Sequence, residues 1–162
     1  MLVRYFSLAG FLLLVVAASL IGAEFEAGKW YHVTMQQPSW TPPHWLFGPV
    51  SALVYVFMAL AAWRIWLSDH QSRLSTLAWW ALLLVLNVTW SALFFGLHRP
   101  GWALPLLGLT VGVAIFCTMA FRRLSREAAL LMMPYLAWIA FILVFNFTIW
   151  TTNGGFLQNL MS

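Results

Sequence analysis

Charge is confined to a few short clusters along this chain, and long apolar windows run between them. A helix needs about 20 consecutive apolar residues to cross a hydrocarbon core. Five windows reach that length and predict spanning helices at about 5–23, 45–66, 74–97, 101–121 and 129–150. Glu24 and Glu26 close the first, Arg64 falls in the last turn of the second, and Arg73 precedes the third. His98-Arg99 separates the third from the fourth, and Arg122-Arg123 ends the fourth. Pro49, Pro105 and Pro134 each fall early in a window, where a helix tolerates proline best. After the first connection the links are short, so sequential helices are expected to pack as neighbours in one bundle. The fold class expected is an all-α integral membrane protein, a five-helix bundle forming a single domain over 1–162. The first window, with Arg4 before it and Ala18, Gly22 and Ala23 near its end, also resembles a signal peptide. Its length favours a retained span.

The connection 24–44 is unlike the rest. From Trp30 to Pro49 it places three tryptophans, one tyrosine and four prolines in twenty residues. Each proline fixes φ and removes a backbone donor, so this stretch is stiff before anything binds. Rigid aromatics on a stiff backbone lose little entropy on closing over a flat apolar partner. The stretch reads as a lid.

Composition agrees with a bilayer: 63% of residues are hydrophobic and 7% charged, against about 25% charged in soluble domains. The net charge of +4 comes without a basic aromatic face, which disfavours nucleic acid. Cys117 stands alone in an apolar run, excluding an intrachain disulfide and a cysteine metal site; it reads as a small buried hydrophobe. Arg4, Arg64, Arg73, Arg122, Arg123 and Arg126 fall on one side of the predicted topology, and Lys29 and Arg99 on the other. Six against two puts the N-terminus inside and the lid outside. Trp45, Trp63, Trp66, Trp79, Trp80, Trp102 and Trp150 lie near window ends and fit interfacial belts.

Chemistry-bearing residues are few. No acid lies inside a span, which argues against a proton relay, and no Ser/His/Asp set, phosphate loop or paired carboxylate appears. His32, His44, His70 and His98 lack metal-ligand spacing. Three of them, His32, His44 and His98, would lie on the lid side, in reach of a haem iron as an axial ligand, although interfacial histidines are commonly just solvated. Asn87 and Asn146 sit near the middle of the third and fifth spans. An amide is costly in hydrocarbon unless satisfied, so both should face the interior, either as interhelical contacts or as polar groups of a cavity. Asn87, Trp90 and Phe94 share one helix face, as do Trp138, Ile142 and Asn146. Such stripes would suit a planar apolar ligand with a few polar groups. Gly108 with Gly112, and Ala92 with Gly96, have the small-xxx-small spacing that can seat a second copy.

Trp30-Tyr31, Pro38-Ser39-Trp40-Thr41-Pro42-Pro43, Phe47-Gly48-Pro49 and Tyr55 resemble the signature of the TspO/MBR family, the tryptophan-rich sensory proteins and translocator proteins. Asn87 through Gly96 resembles its third-helix motif, and Pro134-Tyr135-Leu136-Ala137-Trp138 with Asn146 its fifth. The resemblance covers nearly the whole chain. It implies a homodimeric five-helix bundle whose first loop closes a cavity for porphyrins such as protoporphyrin IX, and for sterols or benzodiazepine-type ligands in some members. The ligand set implied here is Tyr31, Trp40, Phe47, Tyr55, Asn87, Trp90, Phe94, Trp138 and Ile142. No cofactor or metal is required, the porphyrin being a ligand, and the role implied is transport, or regulation and sensing of porphyrin metabolism. The membrane expected is the bacterial cell membrane, or the mitochondrial outer membrane in a eukaryote. An alternative is light-dependent porphyrin degradation, in which Trp138 would take part. Members usually carry tryptophan where this chain has Ser51, which weakens that alternative. The C-terminal sterol motif of animal members is also missing, as no Lys or Arg follows Arg126.

Overall fold

The computed structural model describes residues 2–26 and 30–154. Lys29 and the side chains of Arg4 and His44, which entered the charge and histidine arguments above, lie outside the described set. Among the described residues six α-helices follow one another: α1 (Leu2–Glu26), α2 (Trp30–Thr34), α3 (His44–Trp66), α4 (Arg73–Ser91), α5 (Pro100–Leu124) and α6 (Arg126–Thr152). A π-helical turn, Ala92–Gly96, extends α4. Five of the helices are long and apolar enough to span a membrane. Large apolar side chains such as Leu13, Leu53, Val85, Leu109 and Phe147 stand more than half exposed on the outer faces, as lipid-facing positions require. The chain is an all-α, multi-pass membrane bundle.

Two expectations about local structure change. The stretch 24–44 contains a helix, α2, because its prolines begin only at Pro38 and leave Trp30–Thr34 free to make one turn. Trp80 is not interfacial: it is 1% exposed and donates its indole N–H to the Met58 carbonyl at 3.0 Å. The remaining boundaries follow from capping. Ser125 accepts a bond from the Ala128 amide at 3.2 Å and starts α6, as an N-cap hydroxyl does.

The long helices close into a ring in the order α1, α3, α6, α5, α4, with α4 returning to α1. Neighbours in sequence are therefore only partly neighbours in space, since α3 leans chiefly on α6 and α1. The half of the ring nearest the arginine-rich ends is solid, filled by Met58, Ile65, Trp80, Leu83, Phe121, Met132 and Tyr135. Arg64 meets Glu127 there at 3.1 Å, and Arg73 lies 5.2 Å over the Trp66 ring. The opposite half, under the residue 30–49 stretch, is hollow.

The small-xxx-small pairs also divide. A Cβ on Gly96 would stand 2.9 Å from Phe25 Cδ1, so the Ala92–Gly96 spacing admits α1 of the same chain rather than a second copy. Gly108 and Gly112 of α5 have open space around them.

Candidate ligand cavity

The hollow end encloses about 350 Å³ between α1, α3, α4, α6 and the lid. One wall is aromatic: Tyr31, Phe47, Trp90, Phe94, Phe95, Trp138 and Phe145. Their rings interlock mostly edge-on or tilted, as quadrupoles prefer. Trp90 lies 5.4 Å from Phe94, and Phe47 lies 5.8 Å from Trp138. Polar atoms enter at few points. Asn87 donates through Nδ2 to the Leu83 carbonyl at 2.7 Å and to the Tyr135 hydroxyl at 2.8 Å, so the amide ties α4 to α6 at the cavity floor. Tyr55 and His32 also line the space.

The residue 30–49 stretch caps this cavity and is fastened at three points. Trp30 stacks on His98 at 4.3 Å. His98 itself holds a left-handed backbone, φ 57°, in the turn before α5. The Gln36 amide donates to Asn153 Oδ1 at 2.8 Å, while Asn153 Nδ2 donates to the Gln36 carbonyl at 2.9 Å and the Ile149 carbonyl at 2.8 Å. Trp40 packs edge-on against Phe141 and Phe145 at 6.0 and 5.7 Å. Tyr31 turns inward and is buried, which pushes its phenol up to about 12 by desolvation.

Of the nine residues expected in the site, eight line this cavity: Tyr31, Phe47, Tyr55, Asn87, Trp90, Phe94, Trp138 and Ile142. Trp40 does not. The turn from Pro38, closed by the Thr41 amide bonding to the Pro38 carbonyl at 3.0 Å, carries it across the flank of α6, where it stays 45% exposed. Asn146 shares the predicted stripe of Trp138 but stands behind the wall at 0% exposure. Its Oδ1 accepts from the Trp90 indole at 3.1 Å, and its Nδ2 donates to the Pro100 carbonyl at 3.0 Å. Both amides thus act as interhelical contacts, and Asn87 also faces the cavity. Sequence reasoning did not place Phe95, Phe145, Ser91 or the α1 residues Ala18, Ser19, Gly22 and Ala23 in the lining. For Phe145 a signal existed: it sits seven residues on from Trp138, on the same helical face. For the small residues there was none.

A bundle of five spans with one end hollow and capped defines a multi-pass membrane protein with a small-molecule-sized site. The chain belongs to the TspO/MBR family, whose sequence profile matches residues 10–151. It is 36% identical to the human translocator protein over 152 residues, covering 90% of this chain and 89% of that protein. It is 35% identical to the tryptophan-rich protein TspO of Chlorobaculum tepidum, covering 86% and 91%. A tryptophan-rich protein TspO of Archaeoglobus fulgidus is 34% identical, covering 88% and 94%. This membership supports a sensory or transport-regulatory role in a membrane.

Proposed function

We propose that the protein binds a porphyrin of the protoporphyrin IX type in the capped cavity and acts in its transport or in sensing porphyrin metabolism. The observation that carries this reading is the cavity wall itself. Trp90, Phe94, Trp138 and Phe47 offer a continuous aromatic surface, with Asn87 and Tyr55 as its polar edges. A flat macrocycle gains area against such a wall at little conformational cost. At about 350 Å³ the cavity is at the low end of ligand sites, so a macrocycle would keep one edge at the mouth beside His32. The reading extends to a homodimer through the open α5 face around Gly108 and Gly112, and to a bacterial cell membrane with the lid outside.

Titration with protoporphyrin IX in detergent should quench tryptophan fluorescence with a Kd in the micromolar range, about −8 kcal/mol. The variant Trp138→Phe with Asn87→Ala should weaken that quenching. If the double variant titrates like the parent, the porphyrin does not occupy this cavity.

A further inference from the structure

A second part of the lining has a different chemistry. It is built from Ala18, Ser19, Gly22 and Ala23 of α1, Gly48 and Ser51 of α3, and Ser91 of α4. Three hydroxyls therefore stand among small side chains. They also stand at similar depth: Ser19 is seven residues before the end of α1, Ser51 seven after the start of α3, and Ser91 five before Gly96. At 1.5 Å per residue that is roughly 8–10 Å below the lid. Gly22 makes room for one of them, since a Cβ there would meet Ser91 Oγ at 3.3 Å.

None of the three hydroxyls has a hydrogen-bond partner among the described residues, although Ser91 is only 7% exposed. That is unusual for hydroxyls on apolar helices, which normally bond back to the carbonyl four residues earlier. Thr89, Thr110, Thr118 and Thr148 of this chain do so, at 2.7–2.9 Å. All three line the open cavity, so donors held free at one level of it suit an acceptor that arrives with the ligand. No described Lys, Arg, Asp or Glu lines the cavity. Among the described residues His32 is the one basic side chain in the lining; away from it, at the serines, a carboxylate would find no counter-charge, whereas a neutral oxygen would be satisfied by hydroxyls alone.

We infer that Ser19, Ser51 and Ser91 form a hydrogen-bonding subsite for an uncharged oxygen acceptor, a carbonyl or ester, carried by the flat ligand. This rests on the porphyrin reading above and adds to it a selectivity among porphyrins. The plane lies against the aromatic wall, and the neutral oxygen meets the serine wall.

The test compares protoporphyrin IX dimethyl ester, its free diacid, and octaethylporphyrin, which has no oxygen, by fluorescence quenching of the full-length protein in detergent. The parent should bind the dimethyl ester more tightly than the diacid. The triple variant Ser19→Ala, Ser51→Ala, Ser91→Ala should lose about tenfold in affinity for the ester while octaethylporphyrin changes less than about twofold. Should the triple variant fail to fold by circular dichroism, the single variants Ser51→Ala and Ser91→Ala should each lose about two- to threefold for the ester only. An equal loss for both porphyrins, or none for either, overturns the subsite and leaves the porphyrin reading standing. A diacid that binds more tightly than the ester overturns the choice of a neutral acceptor. No quenching of the parent by any of the three overturns the porphyrin reading and this inference with it.

Discussion

Trp90 on the cavity wall donates its indole N–H to Asn146 Oδ1 at 3.1 Å, and Asn146 is held in turn by the Pro100 carbonyl at 3.0 Å. The chain of bonds runs from α4 through α6 to the start of α5, a helix that contributes nothing to the cavity lining. It fixes the plane of one aromatic wall residue from behind. Asn146→Ala leaves both the Trp90 donor and the Pro100 carbonyl without this partner. The expected loss of stability is about 1–3 kcal/mol, towards the lower end because membrane interhelical bonds average less than 1 kcal/mol. A denaturant titration in mixed micelles measures it. Porphyrin affinity should fall as well, although Asn146 lies outside the cavity, and a variant with full stability and affinity would refute the link.

The lid is fastened differently from its two ends. Beyond α2, Asn153 makes a reciprocal pair with the Gln36 backbone at 2.8 and 2.9 Å. Asn153→Ala removes both bonds while leaving the cavity wall intact. Opening should then be easier, so porphyrin dissociation speeds up several-fold, with a smaller change in equilibrium affinity. Stopped-flow displacement separates the two quantities. An unchanged dissociation rate would mean that the Trp30–His98 stack and the Trp40 packing hold the lid without it.

The spans were legible because charge-free runs of spanning length need no knowledge of tertiary structure. The ring order was not, since helices such as α3 are apolar almost all round and offer no face to orient by. The site was legible where aromatic and amide residues repeat along α4. It failed in instructive ways along α6. Eight residues on from Trp138 a 3.6-residue helix has turned about 80° past the starting face, which carries Asn146 behind the wall, while Phe145, seven residues on, falls within about 20° of it. Trp40 could not be assigned from composition, because an aromatic that braces a lid from outside looks the same as one that faces a ligand. The serine wall was hidden for the opposite reason: Ser, Ala and Gly are ordinary packing residues between membrane helices.

Tyr31 supplies a pH dependence with a definite sign. Burial pushes its phenol from 10 up to about 12, so the docked lid keeps a proton that an undocked lid would begin to lose near pH 10. The docked state is therefore favoured in full below pH 10, and that preference is lost as pH rises from 10 to about 12. Porphyrin retention should hold to about pH 10 and decline above it. Tyr55 also lines the cavity, so the diagnostic quantity is the part of the decline that disappears in Tyr31→Phe. If the profiles of the parent and Tyr31→Phe coincide up to pH 12, Tyr31 does not report on lid docking.

Ser51 and Trp138 line the same cavity from α3 and α6, and this pairing bears on light-driven chemistry. The family resemblance puts tryptophan at position 51 and implicates it, together with the residue matching Trp138, in porphyrin breakdown. Here only one indole of that pair is present. The parent complex, illuminated in air, should therefore retain most of its Soret absorbance over an exposure in which Ser51→Trp bleaches it and yields a bilin-like product. The larger side chain has space to enter, since Ser51 lines the open cavity together with Gly48 and with Ala18, Gly22 and Ala23 of α1. Ser51→Phe is the control, filling the space with a ring that lacks the indole. Equal bleaching in the parent and Ser51→Trp would show that the second indole is not needed. Bleaching by Ser51→Phe at the rate of Ser51→Trp would attribute the gain to confinement of the porphyrin rather than to the indole.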